Sequence, residues 1–295
     1  MSDTLKISLS SGSLFTLPLR RAFEIAAEAE FDGVELIINQ AFQRTNPVKL
    51  TRSLQEIATI NSIHAPFMPL EGWGGPIQSL LLSIELAAET GIPLVNFHPP
   101  SWLGCEIGFW RWLYRIRDFQ KELGVDGKVL VTIENMPWVG SRYKINPNIF
   151  SATRDMLNFI NEHNLYLTFD TTHMGSGKAN FIHDFYQFYE SGRIRNIHFS
   201  DYGFDTEHLV PGRGHLPLTR FLNHLGNTEY TGCITLEISP HEFPKDEQVI
   251  LHGLREIQTY MKVETGILPP EAMEPFDNGC LLDVDTTPLE EPGEA

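Results

Sequence analysis

Residues 165–201 read LYLTFDTTHMGSGKANFIHDFYQFYESGRIRNIHFSD. Two short apolar runs, Leu165–Asp170 and Ile194–Phe199, bracket a segment that closes on Gly192, where a left-handed helix cap costs little. That is the pattern of a strand–helix–strand unit. It extends in both directions along the chain. Strands are expected at Lys6–Ser10, Gly33–Ile37, Asn61–Ala65, Leu94–His98, Val129–Asn135 and Cys233–Ile238. Helical periodicity fills the gaps, as at Leu17–Glu30 and at Pro76–Thr90, which Gly91 follows. Eight such units spaced roughly 27 to 39 residues apart fit one closed (β/α)8 barrel, an α/β TIM barrel. An open doubly wound sheet would have fewer strands and a Gly-rich phosphate turn after the first. The first turn here reads SSGSLFTLPL, which is no dinucleotide fingerprint.

The barrel is expected to occupy residues 1–263. Residues 264–295, rich in Pro and acid, form an acidic tail expected to be extended or disordered, in which Leu281, Leu282 and Val284 could dock on the barrel or a partner. With 295 residues, 42% of them apolar, the chain can bury a full core without staples, and low-complexity or collagen-like readings fall away. The formal charge is −16, which argues against a dedicated binder of nucleic acid or anionic membrane. Half of that charge comes from eight acids after Ile267, so the barrel itself carries about −8. The cysteines, 3 in number and scattered, suggest a reducing compartment. The start, MSDTLKISLS, lacks a signal-peptide pattern, and no apolar run is long enough to span a bilayer, so a cytoplasmic protein is expected.

In a (β/α)8 barrel the functional groups project from the C-terminal strand ends into one bowl. Six successive strands here each deliver a His or a carboxylate at that end: His64, His98, Glu134, Asp170, His198 and Glu237. His173 follows Asp170 closely. A lone strand-end histidine is usually a hydrogen-bonded core residue, but six in register differ, because clustered buried carboxylates are costly without a cation. Mixed imidazole and carboxylate donors suit Zn²⁺, Mn²⁺ or Fe²⁺ better than Ca²⁺.

The strings IHAPF, NFHPPSWLG, TIENMPW, FDTTHMG, IHFSDYG and CITLEI resemble the xylose-isomerase-like barrel superfamily, over Lys6 to Lys262. That group holds sugar and sugar-phosphate isomerases and epimerases together with endonuclease IV. The epimerase branch implies one divalent ion held by Glu134, Asp170, His198 and Glu237, with Glu134 and Glu237 also moving a proton next to a carbonyl through an enediolate. The endonuclease branch implies up to three zinc ions, adding His64, His98, His173 and His208. Its third site uses an Asp two residues before the last His. Thr206 stands there in this chain, with Asp205 as a shifted substitute.

The loop Tyr202–Glu207 has no basic residue, and a nuclease needs basic contacts to a polyanion. The isomerase or epimerase reading therefore leads, with a small carbohydrate as partner, nucleic acid and membrane not expected, and a homo-oligomer left open. A zinc phosphodiesterase acting on abasic DNA is the first alternative. A non-catalytic metal-binding barrel that recruits a partner through its tail is the second. Arg213, in Gly212-Arg213-Gly214, is a candidate for a substrate phosphate or carboxylate. Trp102 and Trp138 are candidates for stacking on a sugar face, and Lys178 for lining the bowl. Cys105 is assigned no chemistry, and His163, His183, His224, His241 and His252 are read as surface histidines.

Overall fold

A computed structural model describes residues 4–102, 106–140, 143–177 and 180–273. Cys105, Lys178 and the tail beyond residue 273, with Leu281, Leu282 and Val284, lie outside the described residues. The strands are β1 Lys6–Ser10, β2 Gly33–Ile37, β3 Ile60–His64, β4 Leu94–Phe97, β5 Leu130–Glu134, β6 Tyr166–Asp170, β7 Ile194–Phe199, β8 Asp201–Gly203, β9 Thr206–Leu209 and β10 Cys233–Leu236. Eight of them pair in parallel and close in the order β1-β10-β7-β6-β5-β4-β3-β2, while β8 and β9 make a small hairpin after β7. This is the closed TIM barrel that the strand spacing implies. Among the described residues no helix is long and apolar enough to cross a membrane.

The elements lie close to their expected places, and the departures have local causes. β4 stops at Phe97 because Pro99 and Pro100 lack the N–H that a ladder needs. The first helix spans Leu19–Glu28, inside the expected Leu17–Glu30. Pro18 caps its start, and Glu30 at φ 62° lies outside helical space. The helix Pro76–Thr90 ends on Gly91 at φ 75°, a left-handed cap that glycine accepts without a Cβ clash.

Alternation along the strands gives the barrel wall two faces. On the outer face apolar residues pack against the helices. Phe169 meets Phe185 at 5.2 Å and Phe221 at 6.1 Å between ring centroids. The inner face is unusually polar. Ser8, Glu35, Ser62, Asn96, Thr132, Thr168, Asn196 and Thr235 are all buried there. Several are linked by hydrogen bonds: Thr132 and Thr168 share a 2.8 Å hydroxyl contact, and Thr235 donates to Asn196 at 2.9 Å. Barrel interiors are usually filled by branched aliphatic layers. Here a hydrogen-bonded column leads up to the C-terminal bowl.

Not every histidine outside the bowl is superficial. His163 is half-buried among Tyr114, Phe119 and Phe159 and contacts the Ile116 carbonyl. His224 packs between Tyr186 and Tyr189. Both lie on the apolar seams between helices, where aromatic neighbours cover the ring.

Candidate metal centre

The strand ends bring their polar residues into one buried cluster, centred on Glu134. Its Oε2 lies 3.3 Å from His64 Nε2, 3.5 Å from His98 Nε2 and 3.5 Å from His198 Nδ1. Its Oε1 lies 3.1 Å from His173 Nδ1. Asn96, one strand back, donates its amide to Glu134 Oε2. His198 Nδ1 is also 2.8 Å from Glu237 Oε2 and 3.7 Å from Asp170 Oδ2. His98 and Glu237 sit one residue beyond the ends of β4 and β10, so they join the bowl from the first loop positions.

Local structure fixes how each ligand-type group is presented. Asp170 caps the short helix Thr171–Gly175 by accepting the His173 backbone N–H on Oδ1 at 2.7 Å, which leaves Oδ2 facing the cluster. Asn135 clamps the same turn from both sides, donating to the Asp170 carbonyl at 2.9 Å and accepting its N–H at 2.8 Å. A carbonyl oxygen can only accept. His64 Nδ1 against Ala65 O at 2.9 Å and His173 Nδ1 against Asn135 O at 2.9 Å therefore carry protons, which leaves Nε2 as the ligand-type nitrogen of each ring; that of His64 meets His98 Nε2 at 3.1 Å. His208 is held the same way, its Nδ1 at 3.2 Å from the Glu237 carbonyl.

The electrostatics are those of a site with excess negative charge. Burial is the largest influence on Glu134, Glu237, His64, His98, His173 and His198, and it opposes charging each of them. Even so, His198, His98 and His173 hold Glu134 well below the ordinary carboxylate range, and His198 lowers Glu237. Conversely, Glu237, Glu35 and Glu134 raise His198 well above the usual imidazole value, and Glu134 raises His64. Asp170 and Glu134 push His173 up to about 10. Burial wins at His98, whose value falls. Protons on these imidazoles stand in for positive charge that a divalent cation could provide instead.

The donor set fits such an ion. Asp170 Oδ2 and His198 Nδ1 are buried without an aligned hydrogen-bond partner, although carboxylate oxygens lie close by. Among the described residues three groups each bring one ligand atom per residue within 4.8 Å of the others: Glu134, Asp170 and His198; His64, His98 and Glu134; and Asp170, His173 and His208. Glu237 extends the first through His198. These groups could hold one to three ions.

Asp205 does not take the shifted role considered for it. Its carboxylate pairs with Lys144 at 3.0 Å and accepts from the Tyr202 hydroxyl at 3.0 Å, on the half-exposed tip of the β8–β9 hairpin. Glu207 is the acid that neighbours His173, His208 and Asp170, and burial raises its carboxyl.

The remaining candidates separate. Trp138 lines a cleft of about 570 Å³ together with His173, Met136 and Met174. Trp102 packs edge-on against Trp110 at 5.3 Å, with half its surface exposed. Arg213 is held by Glu242, Nη1 to Oε2 at 3.0 Å. A second cleft of about 420 Å³ adjoins His98 and is walled by Phe67, Met68, Met136 and Phe109. Glu35, which the strand-end reading did not single out, lies fully buried below the cluster, 2.9 Å from His198 Nε2. Its sequence signal is one acid inside the apolar run GVELI.

Comparison with known proteins agrees with this architecture. The family model described as xylose isomerase-like TIM barrel matches residues 23–260. An uncharacterised protein of Mycobacterium leprae (strain TN) is 27% identical over 294 residues, covering 88% of this chain and 99% of its own length. Among solved structures, a D-tagatose 3-epimerase-like protein superposes with a TM-score of 0.62 at 20% identity, covering 89% of this chain and 99% of that one. An AP endonuclease, family 2, from Brucella melitensis does so with a TM-score of 0.62 at 16% identity, covering 83% and 95%.

Proposed function

This chain belongs to the xylose isomerase-like TIM barrel family, and from that premise we propose that it is a divalent-metal-dependent isomerase or epimerase of a sugar or sugar phosphate. The observation that carries the reading is the convergence of Glu134 and Glu237 on one imidazole nitrogen, His198 Nδ1, at 3.5 and 2.8 Å. Glu134, Asp170, His198 and Glu237 would hold one ion of zinc, manganese or similar character. When bound, such an ion polarises a carbonyl and its neighbouring hydroxyl and so acidifies the C–H between them.

The chain's own groups do the rest. Glu237 is the more accessible of the two glutamates, at 17% against 1% side-chain exposure, and is suited to take the proton from the carbon next to the carbonyl. Glu134 would return a proton to that carbon from the other side, after taking one from an imidazole beside it, such as His173 Nδ1 at 3.1 Å or His64 Nε2 at 3.3 Å. His64, His98 and His173 would contact substrate hydroxyls where these reach the cluster. Trp138 would supply a face for the sugar, with Trp102 further out on the rim. Arg213 would meet a phosphate or carboxylate only by leaving Glu242. The fold, the charge and the scattered cysteines are consistent with a cytoplasmic enzyme that takes a small carbohydrate.

A second reading, a zinc phosphodiesterase of the endonuclease IV type, is favoured by the two further groups, His64–His98–Glu134 and Asp170–His173–His208. One experiment separates the two. Ketopentoses, ketohexoses and 3-keto glycosides are incubated in D₂O with the metal-loaded protein. The proposal expects deuterium at the carbon next to the carbonyl, dependent on metal and lost in Glu237→Gln. No exchange on any of these sugars, with metal-dependent nicking of abasic DNA, would replace it with the second reading.

A further inference from the structure

Glu35 stands in the centre of β2, fully buried, with no part in the proton transfer proposed above. Its two oxygens have different neighbours. Oε2 accepts from Ser62 Oγ at 2.7 Å and, across the barrel, from Asn196 Nδ2 at 2.9 Å. The Asn196 amide cannot turn round, because its Oδ1 already accepts from Thr235 Oγ1 at 2.9 Å and from the Ile197 N–H at 3.0 Å. Among the described residues Oε1 has no aligned hydrogen bond; His198 Nε2 lies 2.9 Å from it and is itself without an aligned partner. The separation is that of a hydrogen bond.

A neutral imidazole carries one proton and one lone pair. Left to itself, His198 would be pulled toward a proton on Nδ1, where Glu237 Oε2 waits at 2.8 Å, and a protonated Nδ1 cannot ligate. We propose that Glu35 is a positioning residue: its Oε1 accepts the His198 Nε2 proton and so keeps Nδ1 bare and aimed at the cation site formed with Glu134, Asp170 and Glu237. The column Thr235–Asn196–Glu35–His198 then links the barrel interior to the bowl, with each member setting the orientation of the next. Outer partners of this kind fix ligand tautomers in metal sites generally. The proposal rests on the metal reading of the same cluster.

The test uses the full-length chain, stripped with a chelator and titrated with Zn²⁺ by calorimetry. In Glu35→Gln the new carboxamide oxygen stays with its two donors, Ser62 and Asn196. Its NH₂ therefore faces His198 Nε2 and favours the opposite tautomer. Zinc affinity is expected to fall about 10- to 100-fold, while the metal-free melting temperature stays close to wild type. Ser62→Ala, which removes one anchor without touching His198, is expected to lose much less affinity. Unchanged zinc affinity in Glu35→Gln, with normal binding by the wild type, overturns this proposal alone. A wild-type chain that binds no zinc overturns the metal reading and this proposal with it. If Glu35→Gln fails to fold, nitrogen-15 NMR of the zinc-loaded wild type decides. A proton on His198 Nε2 supports the assignment, and one on Nδ1 overturns it.

Discussion

The two faces of the barrel wall are built from the same strands and do opposite things. Outward, Val131, Ile133, Leu167, Phe169, Ile197 and Phe199 pack on helices and bury apolar area. A fully buried aliphatic or aromatic side chain contributes about 1.5–3 kcal/mol there, largely regardless of its angular detail. Inward, Asn96, Thr132, Thr168, Asn196, Thr235 and Glu35 bury polar atoms, which gains little net stability once desolvation is counted. What the inner face gains is direction, because a hydrogen bond fixes where its donor points and a methyl contact does not. The side chains that end this column, His64, Glu134, Asp170 and His198, are the ones a cation site needs held in place. The outer face makes the barrel stand; the inner face aims it.

The largest expected effect falls on the inner face. Glu134→Gln keeps the side chain's shape and its hydrogen bond from Asn96. Turnover should drop by about 10²- to 10⁴-fold with the circular dichroism spectrum unchanged. Loss of the folded barrel in that variant would make Glu134 a structural residue and blur the contrast between the faces. Next comes Phe169→Ala on the outer face, which removes a ring touching Phe181, Phe185, Phe188 and Phe221. Denaturant unfolding should show a loss of about 3–5 kcal/mol, while zinc affinity per folded molecule holds. A matching loss of zinc affinity would mean that the outer face also tunes the site.

A smaller effect is expected from pH. The folded value of His173 lies above its ordinary 6.5, at about 10. Its contribution to stability is therefore complete below about pH 6.5 and is lost as pH rises through about 10. The chelator-stripped protein should melt at progressively lower temperature from pH 7 to 10. Saturating zinc should flatten that slope, since the ion replaces the proton. A metal-free melting temperature that climbs over the same range would show that the carboxylates do not hold that proton. The smallest effect is Arg213→Ala, which breaks a partly exposed pair with Glu242 and should change stability by no more than about 1 kcal/mol. It sharpens the substrate question. A raised KM for sugar phosphates alone would assign Arg213 to a phosphate, and no kinetic change would leave it to the loop.

Much of this was legible in the chain because the barrel repeats itself. The strand runs at Lys6–Ser10, Gly33–Ile37 and Ile194–Phe199 coincide with the observed strands, and the strand-end His and acid residues do meet. Glu35 was not legible, for a physical reason. A single acid in GVELI gives no sign of which face it occupies, and its partner Asn196 lies 161 residues away across the barrel. The exchange of Asp205 for Glu207 turns on hairpin geometry. Phe204, Asp205 and His208 all take positive φ, so the β8–β9 turn rotates which acid faces His173, and no spacing argument reaches that far.

The most direct test of the central claim, that the inner column ends in a divalent-cation site serving proton transfer, is elemental analysis of protein purified without chelator, followed by metal titration of the stripped chain. The account predicts about one tightly held divalent ion per chain, released by chelator and restored stoichiometrically by manganese or zinc. A folded chain that carries no ion and takes up none on titration would contradict it.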